Sequence, residues 1–319
     1  MKSNKQETGI AVIGAGGIGN LRAHSCKQIT QVDYIAVCDI EDKKLEKVAE
    51  SVKADIATNN YSEAIENDRV GAVIISTDEE NHYDVTMKAV ELGKSVLIEK
   101  PFVLDLGEAD NILAKAKQTG ADVFVGYTQR FRRKFLLAKE AVRRGQLGDI
   151  VFSMGKIYVT RAVGEAVAGR SPNTTPSINT GTYLVDLMLW YNEGKKPVEV
   201  YAKSASNVFK SYNRDDFQWM LVTFDDGSVS SLGTSWLQPR HWPAYTATME
   251  IDLQGTTGSL SIDDAHRDVI LVPGEPIPCP YTPQYDVDVA FLGSAMPGDF
   301  VMGEFFGPMK EETLSLIHI

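Results

Sequence analysis

Apolar residues in the first 126 positions come in short unbroken runs, separated by stretches with helical spacing. The runs fall at 9–14, 33–39, 71–76, 95–99 and 122–126, and amphipathic stretches at about 17–29, 42–52, 81–92 and 106–119. Continuous rather than alternating apolar runs are what strands buried on both faces of a parallel sheet require. Gly93 and Gly120 stand where the last two helices need C-terminal caps. Strand–helix alternation of this kind predicts a doubly wound α/β domain over residues 1–126.

The rhythm changes after Gly126. A helix is expected at about 131–144, ending at Gly145. Mostly strand patterns follow, at 149–160, 198–207, 217–224, 228–236, 247–255, 259–263 and 268–272. Asp225-Asp226-Gly227 and Thr256-Thr257-Gly258 read as hairpin turns, and Asp263-Asp264 as turn chemistry too. One further helix is expected at 177–191, and a loop carrying Arg161 and Arg170 before it. Residues 127–319 are thus expected to form an α+β domain with a mostly antiparallel sheet. From Pro273 the chain is rich in Pro and Gly, and it ends in an apolar LSLIHI with no cap. That ending reads as a truncation or an appended scar, set aside from functional reasoning.

Composition narrows the function. Lys plus Arg number 32 and Asp plus Glu 43, a net charge of −11, which argues against a nucleic-acid surface. No run approaches a membrane span, and the polar N-terminus followed by a Gly-rich stretch does not read as a signal peptide. Cys26, Cys38 and Cys279 fit neither a disulfide framework nor a zinc set. A reducing, cytoplasmic setting is expected. The five histidines (His24, His82, His241, His266 and His318) show no metal-binding spacing, so no metal is expected.

Chemistry enters at Gly14-Ala15-Gly16-Gly17-Ile18-Gly19, a GxGxxG between a strand and a helix. Gly14 permits the tight turn, Gly16 lets the backbone approach a pyrophosphate, and Gly19 lets helix and strand pack closely. The helix N-terminus, reached through Gly17 and Ile18, offers free N–H groups to the phosphates. Asp39, 20 residues after Gly19, ends the next strand where an acid accepts the ribose hydroxyls. Ile40, Glu41 and Asp42 follow, with no basic residue to receive a 2′-phosphate. NAD is therefore expected over NADP.

Glu99-Lys100-Pro101 closes the run at 95–99, on the side where open α/β sheets bind ligands. With the Gly-rich loop and Asp39, this tripeptide resembles the Gfo/Idh/MocA oxidoreductases, the glucose–fructose oxidoreductase and inositol dehydrogenase family. The resemblance spans about residues 8–272. It runs through AVIGAGGIG (11–19), IISTDEENHYDVTMKAVELGKSVLIEKP (74–101), VGYTQRF (125–131), GTYLVDLMLW (181–190) and GTTGSLSID (255–263).

The resemblance implies that Lys100 contacts the nicotinamide ribose and the reacting hydroxyl. It also places Thr77 and His82 in the segment that covers the dinucleotide. The usual proline and asparagine there are replaced by Asp78 and Glu79. Where the family commonly carries an aspartate and, four residues on, a histidine, this chain has Asn179 and Tyr183. Asn179 can orient a hydroxyl but not take its proton. Tyr183 can act as acid or base if its phenol is acidified, as a nearby Lys100 ammonium would do. Tyr127, Gln129 and Arg130 follow the strand at 122–126 and are candidate cleft residues. Arg161 and Arg170 are candidate anchors for an anionic substrate group.

The expected activity is hydride transfer between NAD and a secondary alcohol of a sugar or polyol, by a homo-oligomer (dimer or tetramer). Two alternatives remain open: an NAD-dependent glycosidase of the same fold, and a catalytically inactive NAD-binding sensor or corepressor.

Overall fold

The structure is a computed structural model that describes residues 8–242, 247–264 and 303–317 in full, with short pieces of strand backbone between 269 and 301. It divides into two compact units, Met1–Phe131 with Ala295–Ile319, and Arg132–Ser294.

The first unit is built on six parallel strands: β1 (Gly9–Ile13), β2 (Tyr34–Cys38), β3 (Ile56–Thr58), β4 (Val70–Ile75), β5 (Ser95–Ile98) and β6 (Val123–Val125). Their order is β3-β2-β1-β4-β5-β6. The direction of winding reverses between β1 and β4, which opens a crevice at the carboxyl ends of those strands. Helices α1 (Gly17–Lys27), α2 (Asp42–Val52), α3 (Tyr61–Glu66), α4 (His82–Glu91) and α5 (Leu106–Thr119) link the strands. On α2 the buried residues are Leu45, Val48 and Val52, a stripe at helical spacing that faces the sheet. Ile10 and Val12 of β1 point into one apolar cluster and Ala11 and Ile13 into the other. Both faces are thus covered, which is why the runs do not alternate.

The sequence pattern passed over β3 and α3. β3 has three residues and α3 six, too short for any periodicity to register. Asn60 caps α3, accepting from the Ser62 N–H at 3.0 Å.

The second unit begins with α6 (Arg133–Arg143) and carries a sheet of six strands: β7 (Ile150–Thr160), β8 (Pro197–Ala205), β9 (Phe217–Phe224), β10 (Val229–Gln238), β11 (Ala247–Gly255) and β12 (Ser259–Asp263). Their order is β12-β11-β7-β10-β9-β8. Only the β7–β10 pair is parallel. Gly227 at φ 85° turns β9 into β10, and the Gly255 N–H donates to the Gly258 carbonyl between β11 and β12. α8 (Thr182–Tyr191) covers one face, with Leu184 and Met188 against Gly155.

Two segments differ from the pattern-based expectation. The stretch expected as a loop around Arg161 and Arg170 is a helix, α7 (Arg161–Arg170). The Gly, Ser and Pro around it read as a loop, but Gly164 is where α7 meets Trp236: an added Cβ would lie 2.9 Å from that side chain. The apolar ending set aside above forms α9 (Pro308–Ile317). Leu316 lies in the apolar cluster of β1 and α1, and Ile317 packs against it. This segment therefore sits with the first unit rather than the second. The strand expected at 268–272 is extended over Val269–Leu271, while 268 and 272, with Cys279, His266 and His318, lie outside the described residues.

Candidate active site

The turn between β1 and α1 has the geometry of an anion cradle. Gly14 has φ +95°, and an added Cβ there would lie 2.5 Å from the Ser76 carbonyl oxygen. A Cβ on Gly19 would lie 1.7 Å from the Gly14 carbonyl oxygen, so helix and strand touch backbone to backbone. Gly16 and Gly17 are the opposite case, with nothing within 4 Å of an added Cβ. Gly16 caps α1 with no side-chain bond, and the first turn, through Ile18, holds no acidic residue. The unpaired N–H groups of that turn are open to a phosphate.

Asp39, just beyond β2, closes this loop. Its Oδ2 accepts from the Ala15 N–H at 2.6 Å and its Oδ1 from the Glu41 N–H at 2.8 Å. Both oxygens keep further acceptor capacity. Ile40 beside it is 88% exposed, an apolar ledge that sequence reading did not single out. Lys44, further along, is engaged by Glu41.

Ser76 and Thr77 follow β4. The hydroxyl oxygens of both are buried and have no partner among the protein atoms. Buried hydroxyls are normally satisfied, so this pair, beside Gly14 and Gly19, suits a polar ligand. The cradle and these hydroxyls fit the pyrophosphate and ribose of a dinucleotide.

Glu99, Lys100 and Pro101 follow β5, which neighbours β4. Lys100 and Pro101 are joined by a cis peptide. His82, at the start of α4, is 1% exposed. Its Nδ1 lies 2.8 Å from the Pro101 carbonyl oxygen and its Nε2 lies 3.3 Å from that of Thr77. A carbonyl only accepts, so each of these contacts is a hydrogen bond when that ring nitrogen carries a proton and donates it. The ring therefore ties the turn after β4 to the turn after β5. Glu99 accepts from Arg22 of α1, through Nε at 2.8 Å and Nη2 at 2.6 Å. Arg22, which sequence reading missed, is wholly buried. A charged residue on an otherwise buried helix face was the available signal.

Gln129 and Arg130 lie in a short 3₁₀ turn, Thr128–Phe131, after β6, with Gln129 buried. These residues share the carboxyl edge of the first unit's sheet.

In the second unit, Asn179 lies in a π-helical turn, Ser177–Gly181, that leads into α8. Such turns recur at functional sites. The turn is pinned to the sheet: Thr180 and Thr234 hydroxyls lie 3.0 Å apart, and the Ser177 N–H donates to Gln218 at 2.8 Å. Asn179 and Tyr183 are 4% and 5% exposed. Burial works against ionisation of Asp216, but three backbone N–H groups, from Phe209, Val208 and Asn207, hold its carboxyl below the usual range, and the charge of Arg161, which opens α7, adds the least. Asp264, expected as turn chemistry, instead pairs with Arg132 (2.5 and 2.7 Å) and with Lys134.

Among the described residues, no group of three or more His, Cys, Asp or Glu side chains could hold a metal ion, and no helix is long and apolar enough to cross a membrane.

Comparison with known proteins agrees with this geometry. The family described as "Oxidoreductase family, NAD-binding Rossmann fold" matches residues 8–127, and the "GFO/IDH/MocA C-terminal domain" matches residues 135–261. The chain is 25% identical over 279 residues to a myo-inositol 2-dehydrogenase of Thermotoga maritima, covering 83% of this chain and 78% of that protein. It is 26% identical over 262 residues to a scyllo-inositol 2-dehydrogenase (NAD(+)) of Bacillus subtilis, covering 79% and 72%. The scyllo-inositol dehydrogenase of Lactobacillus casei, solved with NAD(H) and scyllo-inositol, superposes with a TM-score of 0.78 at 17% identity, covering 98% of this chain and 88% of that one. With both of its domains matched in order, the chain belongs to the GFO/IDH/MocA oxidoreductase family, and its first unit is the family's NAD-binding Rossmann domain.

Proposed function

We propose that this protein is an NAD-dependent dehydrogenase that oxidises a ring secondary alcohol of a cyclitol or related polyol, and reduces the matching ketone. The observation that carries this reading is the placement of Lys100. It follows β5, one strand from β4 and two from β1, on the same edge as the open Gly-rich turn. Relatives named as inositol dehydrogenases support the polyol class.

When bound, the nicotinamide accepts the hydride. The protein's own residues bind, orient and move the proton. The N–H groups at the start of α1 hold the pyrophosphate, and Ser76 and Thr77 supply hydroxyls beside it. Asp39 accepts from the adenosine ribose, and Ile40 supports the adenine. A carboxylate there repels a 2′-phosphate, so NAD is used in preference to NADP. Glu99 and His82 hold the turn that carries Lys100. Lys100 stabilises the alkoxide as the hydroxyl proton leaves, Tyr183, reacting as its phenolate, takes that proton, and Asn179 holds a neighbouring hydroxyl. Gln129, Arg130 and Arg161 are proposed to contact the rest of the substrate.

The second unit's sheet supplies a surface for a second copy of the chain. Phe152, Tyr201 and Leu221, 40%, 60% and 42% exposed, lie on the face opposite α8. An apolar face of this kind marks an association surface. Cys26, which is buried and free with its thiol pushed up to about 12 by burial, suits a reducing cytoplasm.

The test is an oxidation assay over a panel of cyclitols, sugars and polyols with NAD and NADP, paired with Tyr183→Phe. At least one cyclitol should be oxidised with NAD, and Tyr183→Phe should lower turnover by roughly 10²-fold or more while stability changes by only about 1 kcal/mol. Tight NADH binding with no oxidation anywhere in the panel would instead mark a cofactor-binding sensor. Undiminished turnover in Tyr183→Phe would return that phenol to packing.

A further inference from the structure

Arg22 is the centre of a buried charge cluster that the proposed reaction does not account for. Besides Glu99, its Nη2 donates to Glu312 Oε2 at 2.6 Å, and its Nη1 donates to the Met309 carbonyl at 3.3 Å and the Thr313 hydroxyl at 3.2 Å. Glu312, Met309 and Thr313 all belong to α9, nearly 300 residues along the chain from α1. The same Glu312 oxygen also accepts from the Thr128 hydroxyl at 2.8 Å. Glu312 therefore reaches two turns at once: that of Lys100, through Arg22 and Glu99, and that of Gln129 and Arg130, through Thr128. Gly126 is shaped to this cluster, since an added Cβ would lie 3.0 Å from Glu99 Oε2 and 3.2 Å from Arg22 Nη2.

We propose that Glu312 is a positioning residue for Lys100, fixing the turns after β5 and β6 together through Arg22, Glu99 and Thr128. This rests on the reading above, in which Lys100 acts on the reacting hydroxyl. Burying Glu312 and Arg22 beside the partly buried Glu99 is a costly arrangement for stability alone, since apolar residues of the same volume do as well or better. What the cluster provides is direction: two charge-assisted bonds on one side of Glu99 leave its backbone, and that of the next residue, a single placement. Burial pushes the Glu312 carboxyl above its ordinary range, with Glu99 adding to the rise and Arg22 opposing it. Misplacing a catalytic group by a fraction of an ångström is enough to slow a reaction strongly.

The test compares wild type, Glu312→Gln, Thr128→Val, Lys100→Ala and the double variant Glu312→Gln with Lys100→Ala, all as full-length protein. Hydrogen exchange read by mass spectrometry should rise at least about fivefold in segments 95–104 and 124–131 of Glu312→Gln, and remain unchanged in β1 and β2. With NAD and myo-inositol as the probe pair, kcat should fall about tenfold while KM for NAD moves less than about twofold. In the Lys100→Ala background the same substitution should have no further effect on kcat, because its effect runs through the lysine. Thr128→Val should show a smaller version of both changes, and it carries the test if Glu312→Gln does not fold. Unchanged exchange in the two segments, or an equal loss of kcat in the Lys100→Ala background, overturns the proposal. If Lys100→Ala itself keeps full turnover, the lysine reading fails, and the exchange result alone then decides whether Glu312 sets the turn.

Discussion

Two turns on one edge of the same sheet are built in opposite ways. The turn between β1 and α1 is local: six residues with four glycines, closed by Asp39 from the adjacent strand. Its shape follows from which positions tolerate a Cβ, and that is written in the residues themselves. The turn carrying Lys100 is short, and its sequence names the lysine without showing what holds it. It is held by His82 from the neighbouring crossover, by Arg22 from α1 and, through Arg22, by Glu312 near the far end of the chain. A backbone that must touch a phosphate is specified by absent side chains, which neighbours in sequence can arrange. A lysine that must be aimed needs side chains arriving from several directions, which only the tertiary structure provides.

Substitutions can separate the two designs. The largest effect is expected at the lysine. Lys100→Ala should lower turnover by roughly 10²–10⁴-fold while NADH binding, measured by fluorescence titration, largely survives because the phosphates sit on the other turn. Loss of NADH binding in that variant would show the two turns to be one unit.

Next come two glycines of the local turn. Gly19→Ala places a Cβ against the Gly14 carbonyl and should destabilise the protein by about 1–3 kcal/mol. Gly16→Ala meets nothing within the protein, so its melting temperature should stay near wild type. It should still weaken NADH by about tenfold or more, because the added methyl occupies the phosphate's approach. Equal effects of the two on stability would break the distinction between packing and ligand glycines.

Asp39→Ala is expected to do less and to sharpen the picture. Wild type should prefer NADH over NADPH by about tenfold, roughly 1.4 kcal/mol, and the variant should narrow that ratio. Because Asp39 also holds the Ala15 N–H, the variant should lose some NADH affinity as well. A narrowed ratio with unchanged NADH affinity would mean that the loop needs no support from Asp39.

The smallest effect concerns pH and the remote turn. Glu312 has its carboxyl raised above the ordinary value of 4.5, mainly by burial. A folded-state value above the unfolded one means that the folded protein binds the proton more tightly. The associated stability is full below pH 4.5 and is lost as pH rises through the folded value. Urea unfolding should therefore show wild-type stability declining relative to Glu312→Gln as pH increases above 4.5. Parallel curves would show the carboxyl to be unperturbed.

Much of the first unit was legible because its strands are buried on both faces, so that apolar runs marked them without ambiguity. GxGxxG and Asp39 were legible for a related reason, since neighbouring segments alone build that site. β3 and α3 escaped notice because they are too short to carry a pattern. α7 was mistaken for a loop because a glycine needed for close packing against Trp236 looks, in sequence, like one needed for a turn.

The sequence by itself determined the strand order's raw material, the dinucleotide turn and the lysine at a strand end. Each of these depends on residues within a few positions of one another, or on a spacing that a single helix or strand preserves. Only the tertiary structure decided where the end of the chain goes and what its acid does. Leu316 and Ile317 carry no legible pattern until they are seen against the core of the first unit. Glu312 and Arg22 are ordinary charges until folding removes both from water. A charge's role is set by what surrounds it when water is gone, and partners 290 residues apart leave no local trace in the sequence that joins them.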